Sequence, residues 1–288
     1  MKKILLATDF SRGSDRALRR ATLLCRQHAA EMVVVHAIDD DQAPRLIEAE
    51  RSVALSLLEE QARSIGEIDG VACSTDLLTG DPYAAITEAA ERHSAEVIVI
   101  GPHRRHVVGD TIVGTTAERI IKASRCPVLM VNGVPAGFYR HVMIALELAD
   151  SGRDAVSSVR ALGIDRQVGV SVLHIFDSPV TSLLVGASMA GEQVRKARLE
   201  EEARASREVA TFLAELGFAP MGQSVLLNEG PIASTILAEA KRQGAEMVVV
   251  GTECRTGLMK LVLGSVAEEV LRTAEMDVLA IPPSRGPA

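Results

Sequence analysis

Short, uninterrupted apolar runs alternate along the chain with longer segments whose apolar residues recur at helical spacing. Lys3 to Ala7 (KILLA) and Met32 to Ile38 (MVVVHAI) have the character of central parallel strands covered on both faces. Between them Ala17, Leu18, Ala21, Leu24 and Cys25 form one stripe, with Arg16, Arg19, Arg20 and Arg26 mostly off it, so a helix capped by Ser11 or Ser14 is predicted. A long amphipathic helix follows from Arg45 to Ile65, then a weaker strand from Cys73 to Leu78. Gly80-Asp81-Pro82 turns into a helix carrying Ile86, Ala89 and Ala90. Glu96 to Ile100 is the next strand, then a loop, a helix from Thr115 and a last strand from Pro127 to Val131. Such alternation predicts a parallel α/β sheet with right-handed crossovers.

The pattern is then written a second time. His141 to Leu146 is a strand, Ser151 to Leu162 a helix and Val168 to Phe176 a strand, with His174 at the place His36 holds earlier. Residues 178–191 show no strong period and read as a cover or a partner surface. A long helix from Glu192 to Leu216 stops at Gly217, and the remainder follows the first copy. The match is closest where Ala95 to Thr115 (AEVIVIGPHRRHVVGDTIVGT) aligns without a gap on Ala245 to Ser265 (AEMVVVGTECRTGLMKLVLGS). Two units are therefore expected, 1–133 and 141–288, joined by a Gly- and Pro-bearing linker over 134–140.

Composition narrows the function classes. With 288 residues, 47% of them hydrophobic, each half can bury a core of its own. A net charge of −7, 2% aromatics and no Trp argue against nucleic-acid binding and against an anionic membrane surface. Cys25, Cys73, Cys126 and Cys254 form no CxxC pair, and Cys25 and Cys126 fall on apolar patterns. They read as reduced thiols. Met-Lys-Lys-Ile leads directly into a strand and no apolar run has spanning length, so a soluble, cytoplasmic protein is expected.

Ligands of open α/β sheets sit beyond the carboxyl ends of the strands. That brings together the loops after strand one (Thr8-Asp9; Leu146-Glu147), strand two (Ala37; Ile175) and strand four (Gly101; Gly251), and the following helix starts (Gly114-Thr115-Thr116; Gly264-Ser265-Val266). A glycine lets a ligand approach the backbone, and a Gly-Ser or Gly-Thr at a helix start offers N–H groups, a hydroxyl and the positive dipole end to a phosphate. An acid after strand one suits a ribose. Together these features describe a mononucleotide site.

LATDFS at the start, the glycine loop and GLMKLVLGSVAEEVLRTAEMDVLAIP resemble the universal stress protein family, over nearly the whole chain and as two fused copies. The resemblance implies two doubly wound open parallel sheets, adenine-nucleotide α-hydrolase-like, each with strand order 3-2-1-4-5. It also implies an internal pseudo-dimer through the final strands, a homodimer of chains, and ATP, AMP or ADP as ligand, with magnesium accompanying the nucleotide. The family's ATP-binding pattern sets a first glycine, a middle glycine and a closing Gly-Ser or Gly-Thr. Gly101 and Gly251 supply the first, and Gly114-Thr115 and Gly264-Ser265 the last. Arg104, beside His103, and Cys254 replace the middle one. The first copy keeps Thr8-Asp9 and the small Ala37 where a base would pack, whereas the second has Leu146-Glu147 and Ile175. A weak or altered site in at least one half is the expectation.

Plainer readings stand beside these. Asp9 and Glu147 also suit capping of the helix that follows them, and each Gly-Ser or Gly-Thr corner suits a capped helix start. His103-Arg104-Arg105-His106 lacks the further ligand of a zinc site and reads as a solvated basic loop. His36 and His174 read as satisfied core histidines. No nucleophile–base–orienter set and no P-loop lysine motif is present, so binding is expected rather than catalysis. The rival classes are a ligand-free dimerisation and adaptor module and, third, a slow ATPase or self-phosphorylating protein, for which no general base or metal ligand is identified.

Overall fold

A computed structural model of the chain describes residues 1–102, 116–178, 191–252 and 263–284. The first half contains β1 (Lys3–Ala7), α1 (Arg12–His28), β2 (Glu31–Ile38), α2 (Pro44–Asp69), β3 (Cys73–Thr79), α3 (Pro82–Arg92), β4 (Val97–Ile100), α4 (Thr116–Ala123) and β5 (Val128–Met130). The second contains β6 (His141–Ala145), α5 (Asp150–Ala161), β7 (Gly169–Phe176), α6 (Gly191–Glu215), β8 (Gly222–Leu227), α7 (Ile232–Gln243), β9 (Met247–Gly251), α8 (Ser265–Thr273) and β10 (Asp277–Ile281).

The local reasons are those of the sequence, with three adjustments. Ser11 is the cap of α1, its side chain accepting from the Ser14 N–H. α2 runs past Gly66 and stops at Gly70, which sits in the left-handed region at φ 67. Between α5 and β7 the chain inserts a 3-10 turn, Ile164–Arg166, after Gly163 at φ 72; three residues carry too little periodicity to announce themselves. Cys25 is buried as expected, but Cys126 is only half-buried, beside the Ser124 hydroxyl.

The strands form one ten-stranded sheet in the order β3-β2-β1-β4-β5-β10-β9-β6-β7-β8. Each half is thus a parallel 3-2-1-4-5 sheet. They join where β5 and β10 pair antiparallel, Leu129 opposite Leu279 and Val128 opposite Ala280, which places a pseudo-two-fold axis at that seam. Alternate side chains feed two apolar layers. Ile4, Leu6 and Val34 face α1 and α2, and the layer continues through Leu129 and Leu279 to α5 and α6. Leu5, Val33 and Val35 face α3 and α4, continuing through Val128 and Val278 to α7 and α8. Both layers run through the seam, so apolar burial holds the halves together as well as each half.

Two repeated residues are explained by the backbone. Glu96 accepts from the Lys2 N–H, and Glu246 from the N–H groups of Arg140 (2.5 Å) and His141 (3.4 Å). Each carboxylate thus takes donors where the first strand of its half begins, before the sheet ladder can use them.

The seam also carries a feature of only one half. Asp277 is 1% exposed, yet both of its oxygens are doubly satisfied. Oδ1 accepts from the N–H groups of Asn132 (3.0 Å) and Gly133 (2.9 Å); Oδ2 accepts from Arg20 Nε (3.1 Å) and the Tyr139 hydroxyl (2.5 Å). Arg20 also donates to the Gly137 carbonyl and lies 3.8 Å above the centre of the Tyr139 ring. Burial beside Asp277 pushes the Tyr139 phenol well up, so it remains a donor. A buried carboxylate survives only with such a full set of partners.

Candidate functional site: two carboxyl-end crevices

In the first half the end of β1 is a close-packed turn. Thr8 is buried, and its hydroxyl accepts from the Phe10 N–H at 3.0 Å. Phe10 takes a left-handed backbone, φ 55, and its ring lies 4.6 Å from that of His36. Asp9 is exposed at the mouth, and Oδ1 accepts from the Ser11 N–H (3.1 Å) and from the Ser14 hydroxyl. His36 Nδ1 meets the Thr8 carbonyl at 2.9 Å, and Nε2 lies 3.5 Å from Glu50 of α2. Ala37 follows, half-buried, at the carboxyl end of β2.

Gly101 closes the same corner. A Cβ on it would stand 2.9 Å from the Gly13 carbonyl carbon and 3.1 Å from the Ser14 N. The backbone pressed against this glycine is the first turn of α1, so its lack of a side chain is already required by the fold. Pro102 also packs on Gly13. Thr116 is exposed and begins α4. His103, Arg104, Gly114 and Thr115 lie outside the described residues.

The second half repeats the plan with its parts exchanged. Where the first half has Gly13-Ser14, α5 has Ser151-Gly152 in its first turn. Glu147, one methylene longer than Asp9, accepts from the Ser151 hydroxyl at 2.8 Å. Gly152 is compulsory here, because a Cβ on it would fall 1.9 Å from the Glu147 carbonyl oxygen. Gly251 packs on Ser151, at 3.0 Å to Cβ. His174 Nδ1 meets the Leu146 carbonyl at 2.9 Å, matching His36, and Ile175 is half-buried beyond it. Thr252 is held by the Ile281 carbonyl, and its own carbonyl accepts from the Gly264 N–H at 3.3 Å. That bond fixes the start of α8 against the end of β9, with Ser265 exposed and Val266 half-buried in its first turn. Cys254 and residues 179–190 lie outside the described residues.

Glu147, Ser151, Gly251, Thr252, Gly264 and Ser265 are thus linked one to the next, as are Asp9, Ser14 and Gly101. The sequence reading missed the part of Ser14 and Ser151 in holding the strand-one acids. Its signal was present as a Gly-Ser and a Ser-Gly dipeptide at the same point of the two copies. Elsewhere burial pushes the Cys25 thiol up to about 12 and that of Cys73 to about 11, so neither is a thiolate near neutral pH. A cavity of about 300 Å³ opens at the amino ends of β7 and β8, lined by Arg160, Asp165 and Met221 among others, away from both crevices. Among the described residues no helix is long and apolar enough to cross a membrane.

Fold and crevices together define a tandem, doubly wound α/β protein with an acid and a glycine at the carboxyl end of each sheet. The family model of the universal stress protein family matches residues 1–132 and again 138–282, so the chain belongs to that family as a two-domain member. A universal stress protein of Mycolicibacterium smegmatis is 23% identical over 97% of both chains. One from Methanocaldococcus jannaschii is 31% identical over 46% of this chain and 82% of its own. The crystal structure of a universal stress protein from Archaeoglobus fulgidus superposes with a TM-score of 0.70 at 19% identity, covering 98% of both chains.

Proposed function

We propose that this stress protein acts by binding rather than by catalysis, and that at least one carboxyl-end crevice takes an adenine nucleotide, ATP above all. The observation that carries the reading is the second-half corner. There a serine-held acid, a bare glycine backbone and the start of α8 are joined by hydrogen bonds or packing within one crevice. The first-turn N–H groups of α8 have no partner within the helix and point along its positive end, as a phosphate requires. Asp9 and Glu147 supply acceptors for ribose hydroxyls. Among the described residues no group of three or more His, Cys, Asp or Glu is gathered, so magnesium is expected to arrive on the phosphates. Calorimetric titration with ATP and AMP, with and without magnesium, tests the proposal. Saturable heat that falls at least about tenfold in affinity on Asp9→Ala or Glu147→Ala supports it. No heat together with an unchanged melting temperature removes it.

A ligand-free adaptor is the second reading. It is favoured by Gly101 and Gly251, whose bareness the packing of α1 and α5 already explains. Arg104→Gly separates the two: a gain of ATP affinity means that the natural first-half loop is closed to the nucleotide.

A further inference from the structure

The pseudo-two-fold axis through Leu129 and Leu279 allows each contact at the seam to be compared with its image. The image of Asp277 is Pro127. The images of Asn132 and Gly133, whose N–H groups feed Asp277, are Pro282 and Pro283, which have none. The image of Arg20, taken from the matched first strands and helices, is Ser158. We infer that these substitutions make the seam selective: the β10 edge accepts the β5 edge of a first half and rejects that of another second half. Were two second halves to pair, each Asp277 would face prolines and a serine, a buried carboxylate stripped of two backbone donors and its guanidinium. Were two first halves to pair, Arg20 would be buried against Pro127 with no acid. Both mispairings are penalised, and only the mixed pair satisfies every group. Such repulsive elements create specificity where the attractive apolar strip, Val128 to Met130 against Val278 to Ala280, is nearly the same on both sides.

The full-length chain tests this with a reporter cysteine at Leu279→Cys. The mixed seam sets it opposite Leu129, whereas a second-half pair sets it opposite its own copy in another chain, within reach of a disulfide. The protein is unfolded, refolded at high concentration under mild oxidation, and mapped for the 279–279 link. The reporter alone is expected to give a trace of it. Adding Arg20→Met with Asp277→Leu, which replaces the ion pair by apolar bulk, is expected to raise the link at least about tenfold. A link no greater than in the reporter alone overturns the inference. So does an equal rise on Leu58→Ala, a core change in α2 at the far edge of the sheet, because loss of stability would then suffice. If the double variant does not refold, Pro282→Ala with Pro283→Ala decides, since it returns N–H donors to the second-half edge. A several-fold rise supports selectivity, and no rise overturns it.

Discussion

The two halves solve the same local problems with the same groups in different places. In the first, an acid on a strand, Asp76 of β3, is gripped by Arg92 (2.6 Å) at the end of α3 and by His93 (2.8 Å) that caps it. In the second, Ser224 stands at the matching strand position and the acid has moved to the helix. Glu239 of α7 pairs with Arg242 of the same helix and accepts from Gln243. The exchange of Gly13-Ser14 for Ser151-Gly152, with Asp9 lengthened to Glu147, is the same kind of change. What has stayed fixed is what the backbone demands. Glu96 and Glu246 close strand starts, His36 and His174 bond the carbonyl ending strand one, and Gly101 and Gly251 admit a helix turn. Duplication leaves a side-chain pair free to migrate within its neighbourhood, but a backbone constraint admits few replacements.

The halves differ most at the seam, where only one of them carries the charge. Asp277→Ala is expected to cost about 3–5 kcal/mol in chemical denaturation, because it strands the buried Arg20. Pro127→Ala, its image, is expected to stay within about 0.5 kcal/mol. Equal losses at the two positions would mean that the seam is symmetric in energy despite its chemistry.

Next come the paired glycines. Gly101→Ala forces a Cβ onto the backbone of α1 and is expected to cost about 1–3 kcal/mol. Gly251→Ala meets mainly the Ser151 Cβ, which is able to shift, and should cost less, about 1 kcal/mol. Thermal melts of both variants decide, and the reverse order would show that α5 is the tighter packed.

The relocated carboxylate of the second half also answers to acid. The Arg242 guanidinium, and after it Gln243 and Ser224, outweigh burial and hold Glu239 at about 2, below its ordinary 4.5. A carboxylate depressed in the folded state contributes its stability above the unfolded value. That contribution, about 1–2 kcal/mol for a pair whose arginine is exposed, is lost as pH falls from roughly 4.5 to 2. Glu239→Gln should flatten the decline of melting temperature in that window. An unaltered decline would place the acid sensitivity elsewhere.

At the helix starts the halves differ by a single cap. α1 has the Ser11 cap, whereas α5 starts from Ala149 with no side-chain cap. Ala149→Ser is expected to gain about 0.5–1 kcal/mol, and Ser11→Ala to lose about as much, both read from denaturation midpoints.

Most of the architecture was legible in the sequence because it rests on periodicity. Continuous apolar runs such as MVVVHAI mark strands covered on both faces, and the doubled order of elements marks two units. The site was legible only in part. The acids and glycines stood at identifiable loop positions, but what each one touches depends on a neighbouring helix turn. Gly101 looked like an opening for a ligand, and the residue it admits is Gly13. Asp277 was invisible for a related reason. A charged residue heading an apolar strand announces no partner until the fold brings residues 20, 132, 133 and 139 around it.

The antiparallel pairing of β5 with β10 has one more consequence. Every other neighbouring pair in the sheet runs parallel, so reversal at this single junction turns the whole second half end over end. The ten strands therefore form a bar whose two mouths, one in the middle of each half, open on opposite long sides, away from each other. A partner docked over one mouth therefore has no steric access to the other.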